Sequence, residues 1–559
     1  MKNFNKVIVL VLIVFHYSGI YAQPLHTKQV LTRQDTLRGS NGPFRTKWDV
    51  LHYEITVKPD FETKTIQGNN RMTFFDNGAK LMQIDLQEPM ILDSAINGVR
   101  RLPFRREGNV YWVMLRDSAA MYKLTPGENA ITFYFHGKPV EAKQPPWDGG
   151  WIWKKDKLGR PWMSIACQGL GASVWYPCKD IQSDEPDKGA TLNIIVPDTL
   201  VAVGNGRMKA KEAAGNGYTL YSWSVKNPIN NYNIVPYIGK YVHWGETYAG
   251  AKGKLDMDYW VLDYNLDTAK KQFADAPRMM KAFEHWFGPY PFYEDSYKLV
   301  EAPHLGMEHQ SAIAYGNKFQ NGYRGIDLSG TGWGLKWDFI IVHESGHEWF
   351  ANNITSADIA DMWIHEGFTN YSETLFTEYY YGKDAANAYV KGIRKNIAND
   401  IPVIGIYGVN KEGSGDMYYK ASNMLHTIRQ VIGNDKKFRK MLRGLNKDFY
   451  HTIVTTQQVE AYISRKGKFD FSKVFDQYLR TTGIPVLEYK MEGPNVSYRW
   501  TNCVEGFNLP VQVNFNSAGN REKWIKPVTT WKTESMGKSF DGKTFKVNDN
   551  FYIKTKKAD

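Results

Sequence analysis

His343-Glu344-Ser345-Gly346-His347 sets two imidazoles four residues apart with a carboxylate between them. On an α-helix that spacing brings both histidines to one face, about one turn apart, so both can reach a single Zn²⁺ at roughly 2.0–2.1 Å. Glu344 is then placed to hold the water that the metal activates and to take its proton. A catalytic zinc keeps three protein ligands and one open position, so a further donor is needed. Glu366, 19 positions after His347, lies far enough on for a turn and a second helix to bring a carboxylate back over the first. Its neighbour His365 competes, but adjacent helical side chains diverge by about 100° and cannot both face the metal. The expected set is His343, His347 and Glu366 around one Zn²⁺ per chain, with His365 a packed or solvent-facing histidine. The three cysteines, Cys167, Cys178 and Cys503, have no zinc-knuckle spacing, allow at most one disulfide, and show no nucleophile's partners.

These residues also carry a resemblance. The runs HESGHEWFANNIT (343–355) and WIHEGFTNYSE (363–373) resemble the zinc aminopeptidase family of aminopeptidase N and leukotriene epoxide hydrolase, the gluzincin metallopeptidases. Phe287-Gly288-Pro289-Tyr290-Pro291-Phe292 is similar to the family's entry to the catalytic domain, and Leu305-Gly306-Met307-Glu308-His309 to its Gly-Ala-Met-Glu-Asn exopeptidase motif. Leu305 and His309 depart from the usual Gly and Asn at the two ends of that motif. The resemblance implies that Glu308 binds the substrate's free α-amino group, with Gly306 and Met307 just before it as further substrate-binding residues. A carboxylate near the metal serves this purpose through a charge-assisted hydrogen bond.

Cys167-Gln168-Gly169, followed by Tyr176-Pro177-Cys178-Lys179-Asp180, resembles the segment where a family Gln or Glu lines the N-terminal substrate pocket. This makes Gln168 a second amine or carbonyl contact. Tyr418-Tyr419-Lys420-Ala421 resembles the family's Tyr-Glu-Lys-Gly segment, whose tyrosine donates to the developing oxyanion. Matching register selects Tyr418, with Tyr419 standing where Glu is usual. A neutral phenol, with a pKa of about 10, remains a donor at neutral pH.

Taken together, the residues imply a zinc metallo-aminopeptidase acting on peptides with a free N-terminus. A zinc endopeptidase or epoxide hydrolase would share the metal set, and a silent scaffold would share the fold. An endopeptidase has no free amine for Glu308 to bind.

Such residues need a scaffold, and the chain is long enough for one. Its 559 residues predict three or four domains, and 42% hydrophobic with 14% aromatic residues excludes a disordered chain. Strand-like alternation, as in His52–Val57 and Asn129–Phe135, predicts an N-terminal all-β domain over 23–245. From about Glu246 helical periodicity, as in Thr268–Phe287 and Gly334–Phe350, predicts a mainly helical catalytic domain over 246–482, which the resemblance makes thermolysin-like. Gly483-Ile484-Pro485 breaks that pattern, and short runs such as Val511–Phe515 predict a small β-sandwich over 483–559. The fold class is thus multidomain α+β. Only 74 residues follow Pro485, too few for the large helical domain of many family members, so the cleft should be open to longer peptides.

Lys2 and Lys6 precede nine apolar residues, Val7–Phe15, and then Ile20-Tyr21-Ala22 before Gln23. That order predicts a signal peptide over 1–22, cleaved near Ala22, because the apolar run is too short to span about 30 Å of hydrocarbon. No later stretch is long and apolar enough for an integral membrane segment, so the product is expected in the periplasm or outside the cell. Removing residues 1–22 takes two lysines and no acid from a net charge of +12. The densest basic cluster, Lys436 to Arg443, has helix spacing and predicts a solvated face, and no phosphate-cradling loop accompanies it, which argues against nucleic acid.

Overall fold

A computed structural model describes residues 30–116, 124–514, 522–537, 540, 542 and 544–558. The expected signal peptide, residues 1–22, lies outside them. An eight-stranded sheet opens the fold, and its first strand, Trp48–Asp60, sits inside it, antiparallel to Thr65–Asp76 and parallel to Ala190–Pro197. Along Trp48–Asp60 the side chains of Trp48, Val50, Tyr53, Ile55 and Val57 turn inward, with a bulge between Val50 and His52 that restores the inward phase. A four-stranded and a three-stranded sheet pack on it around Trp151, Trp175 and Tyr176.

Strands continue beyond Glu246. Tyr241–Gly250 and Gly253–Leu262 form a hairpin, joined by Tyr297–Glu301, Ile313–Tyr315 and Gly306–Met307 in a five-stranded sheet. A short helix, Arg33–Gly39, precedes the first strand, and in the region after Glu246 α-helix begins at Leu266, later than the periodicity suggests. The strand Tyr297–Glu301 is buried on both faces: Leu299 enters the helical core, while Val300 enters the core of the eight-stranded sheet. Double burial replaces alternation with a continuous apolar pattern, which hides the strand from a period-two reading.

Two predicted helices are also broken. Thr268–Phe287 becomes Leu266–Gln272 and Asp275–Phe287, because Phe273 turns into a cluster with Tyr259 and Tyr315. Gly334–Phe350 reduces to a short 3₁₀ turn, Trp333–Lys336, and the helix Phe339–Gly346, followed by an irregular wide turn over Glu348–Asn352. Helices Trp363–Tyr381, Tyr419–Ile432 and Asp435–Asp448 complete the core against it. Beyond Pro485 the described residues form a four-stranded and a three-stranded sheet, and Leu487, Trp500, Val511 and Val513 join the helical core. The strand expected at Val511–Phe515 spans Val511–Asn514, and Phe515 lies outside the described residues. Among the described residues no helix is long and apolar enough to cross a membrane.

Candidate active site

The helix Phe339–Gly346 starts at Asp338, whose side chain accepts from the N–H groups of Ile340 at 3.1 Å and Ile341 at 3.3 Å. Gln272 and Tyr315 each donate to the same carboxylate at 2.7 Å, and Asp275 accepts from the Asp338 N–H at 2.9 Å. The break before Asp275 thus helps anchor the start of the zinc helix.

Past His347 the chain leaves the helix sharply, with Ala351 at φ 154°, ψ −54°. This is a costly conformation for a residue with a Cβ. It turns the Phe350 carbonyl toward His347 Nδ1, 3.1 Å away. His343 Nδ1 faces Glu373 Oε1 at 2.7 Å, and Glu373 is itself held by Asn370 at 2.9 Å and Tyr389 at 2.6 Å. With each Nδ1 bound to an acceptor, both Nε2 atoms are left to face the cavity.

Glu366 meets them there. Its Oε2 lies 3.5 Å from His343 Nε2 and 3.3 Å from His347 Nε2, and it is buried with no hydrogen-bond partner among the described residues. Ligand atoms at the corners of a tetrahedron with bonds of about 2.05 Å stand about 3.3 Å apart, so the separations and the donor types fit zinc. Gly346 permits the approach of the two helices: a Cβ there would stand 2.7 Å from Ser372 Oγ and 3.1 Å from Thr369 Cγ2. His365 turns away, its Nε2 accepting from the Ser356 N–H at 2.8 Å, and burial pushes its pKa down to about 3.

Glu344 projects from the zinc helix toward the strand Gly306–Met307. A Cβ at Gly306 would lie 2.5 Å from Glu344 Oε1, so only glycine leaves room for this carboxylate. Burial pushes the Glu344 carboxyl up to about 7, opposed by His343 and His347 and assisted by Glu308 and Glu366. Glu308 follows on the same segment, buried, with Oε1 accepting from Gln168 Nε2 at 2.7 Å and from the Tyr232 hydroxyl at 2.9 Å. Oxygen or nitrogen atoms of Glu308, Glu344 and His347 lie within 4.8 Å of one another. Met307 lines the same cavity. His309 does not: it is buried, with its Nδ1 at hydrogen-bonding distance, 2.5 Å, from the Tyr237 hydroxyl.

Tyr418 precedes the helix Tyr419–Ile432 and donates its hydroxyl to Glu366 Oε1 at 3.0 Å. Burial first, then Glu366 and Glu412, raise its pKa well above the usual phenol value, which keeps the proton on oxygen. Tyr419 also borders the cavity. The cavity holds about 530 Å³, and the eight-stranded-sheet region contributes Gln168 while the helical region contributes the metal ligands. All three cysteines are unpaired; burial raises the Cys167 and Cys178 thiols, leaving them protonated packing groups.

Three site residues escape a reading of the sequence alone. Glu373 had a signal, since seven residues after Glu366 is two turns along one helix face. Tyr232 had none, because its contact with Glu308 joins segments 76 residues apart. Glu412 enters from an irregular loop that Asn410 ties to the Gly169 carbonyl at 3.3 Å. It lines the cavity, and burial pushes its carboxyl up to about 7, with Glu366 and Glu308 adding to the rise.

Residues 272–478 match the family model described as the peptidase family M1 domain. Leukotriene A-4 hydrolase of Xenopus laevis is 21% identical over 474 residues, covering 80% of this chain and 73% of that protein. Aminopeptidase B of Mus musculus is 23% identical over 363 residues, covering 60% of this chain and 52% of that protein, so the chain spans about half of this relative's length. A variant of an M1 zinc metallopeptidase from Deinococcus radiodurans superposes with a TM-score of 0.63 at 18% identity, covering 78% of this chain and 95% of that one. The same enzyme, bound to a Tyr-Ser-Ala substrate, also gives 0.63, at 17% identity. The family match covers the helical region that holds all three zinc-ligand residues, and residues 272–478 form an M1 peptidase domain.

Proposed function

We propose that the protein is an aminopeptidase that removes N-terminal residues from peptides. The observation that carries this reading is Glu308, a buried carboxylate fixed by Gln168 and Tyr232 beside Glu344 and His347. A carboxylate held there favours a free α-ammonium and so aligns the first peptide carbonyl, rather than a later one, with the reacting groups. The edge strand Gly306–Met307 pairs with a neighbour on one side only and offers its other side to an extended peptide.

His343, His347 and Glu366 would hold zinc, which when bound supplies Lewis acidity toward the scissile carbonyl and toward water. Glu344 takes the proton of the attacking water on its carboxylate and passes it to the nitrogen of the leaving amine. The Tyr418 hydroxyl swings from Glu366 to donate to the carbonyl oxygen as negative charge builds there.

Glu344→Gln should retain stoichiometric zinc and lose about a thousandfold or more in kcat. Hydrolysis of leucine amide should vanish on N-acetylation, and equal cleavage of both forms would overturn the exopeptidase reading in favour of an endopeptidase. The order of charge, apolar run and Ile20-Tyr21-Ala22 further supports export with cleavage near Ala22. N-terminal sequencing that starts at Gln23 would support it, and an intact Met1 on the exported enzyme would refute it.

A further inference from the structure

A second concave surface, of about 1000 Å³, shares no lining residue with the zinc cavity. The helix Asp435–Asp448 forms one wall. Its Phe438, Met441, Leu442 and Leu445 are buried, while Lys436, Lys440, Arg443 and Lys447 recur along one face for about 16 Å. Lys437 and Arg439 border the same groove. Opposite them stand Lys252, from the turn of the hairpin Tyr241–Leu262, and Lys466 and Lys468, from the end of helix Thr456–Gly467. These nine basic side chains face one acid, Asp448, a surplus of eight out of the whole chain's +12.

Some of this charge is already engaged. Arg443 donates to the Glu284 and His285 carbonyls, Arg439 abuts His285, Lys466 reaches Asp448 at 3.7 Å, and Lys252 covers the Tyr450 ring. Lys436, Lys437, Lys440, Lys447 and Lys468 form no ion pair among the described residues. The local field acts on His285, whose pKa is lowered by burial first and then by Arg439 and Arg443. A surplus confined to one groove serves local recognition more than general solubility.

We propose that this groove binds a linear acidic glycan, its anionic groups meeting the row of lysines and its sugar rings resting against Pro289, which stays half-exposed in the lining. The groove is concave, which suits a chain better than the plane of a membrane. Single-stranded nucleic acid needs a series of free aromatic faces. Here the exposed ring is Tyr450, covered by His451 at 3.9 Å and Lys252 at 4.8 Å. Groove-lining residues include no unpaired strand edge of the kind an acidic peptide would extend. Lysines, as compact point charges, suit anions spaced along a flexible polymer.

Calorimetric titration of the zinc-loaded protein with a heparin hexasaccharide, and separately with hexagalacturonate, tests the proposal and distinguishes sulfate from carboxylate recognition. At least one should bind, with log K falling against log salt at a slope of about −3 as counterions are released. Lys436→Glu/Lys440→Glu/Lys447→Glu should weaken binding by about tenfold or more while leucine amide hydrolysis is unchanged. Should that variant not fold, acetylation mapping of the wild-type protein replaces it: the bound glycan should protect Lys436, Lys440 and Lys447. Absence of binding by both glycans, full affinity in the charge-reversed variant, no protection, or tighter binding to oligo-dT, phosphatidylglycerol vesicles or poly-glutamate would overturn the assignment.

Discussion

At the scale of single residues, a contact that sets a ring's orientation matters as much as the ligand itself. Glu373 touches no reacting atom, yet it fixes His343 through Nδ1 and is itself gripped by Asn370 and Tyr389. Glu373→Gln preserves its size and removes its charge, and should weaken zinc affinity by about 10–100-fold, measured against a competing chelator, with most activity recovered at saturating zinc. Glu412 has a different place. It has no hydrogen bond or ion pair among the described residues, and its loop is tied to Gly169, next to Gln168, which donates to Glu308. A half-buried carboxylate there, at the Glu308 end of the cleft, would pair with a cationic side chain on a substrate's first residue. Glu412→Gln is expected to cut kcat/KM for arginine amide about tenfold relative to leucine amide, and equal losses on both substrates would refute this role. The zinc ligands and Glu344 were readable because four-residue helix spacing is itself a geometric statement. Tyr232 and Glu412 were not, because each reaches the site through tertiary contacts that no local pattern encodes.

At the scale of elements, the catalytic geometry depends on how closely two helices approach. The helix Phe339–Gly346 carries both histidines, and Trp363–Tyr381 brings Glu366 and Glu373; the missing Cβ of Gly346 lets them meet at Thr369 and Ser372. Gly346→Ala should force them apart, lowering zinc affinity and costing about 1–3 kcal/mol of stability. Adding Ser372→Ala removes the nearer obstacle and should restore part of both, as read by chelator competition and thermal melts. A single long helix over Gly334–Phe350 was the natural reading of an apolar run with helical period. The observed break leaves the Phe350 carbonyl facing His347 Nδ1, a contact that a continued helix would withdraw. The strand Tyr297–Glu301 was obscured for a related reason. Burial on both faces erases the alternation that marks a strand, so the central sheet of the site was less legible than the helices packed on it.

At the scale of the whole molecule, buried carboxyls at the junction of the β and helical regions make stability depend on pH. Glu185 accepts from the Thr355 hydroxyl at 2.6 Å, joining the first region to the segment after the zinc helix. Glu301, in the central sheet, accepts from the Leu262 N–H at 2.8 Å and from Asn265 at 2.7 Å. Burial pushes each carboxyl up to about 7, above the 4.5 of an exposed glutamate, despite these donors. Below pH 4.5 both the folded and the unfolded chain hold the two protons, so neither group alters the balance. Between pH 4.5 and 7 the unfolded chain releases them while the folded chain keeps them, and stability falls as pH rises, by up to about 1.4 kcal/mol per group per pH unit. Above pH 7 both states are ionised and the loss is complete. The apparent Tm of the zinc-loaded enzyme should therefore drop by about 5 °C between pH 5 and pH 8. Glu185→Gln/Glu301→Gln, which retains oxygen acceptors without the titrating proton, should flatten that slope. A Tm that climbs through the same interval, or a slope unchanged in the double variant, would show that other groups govern the pH dependence of the fold.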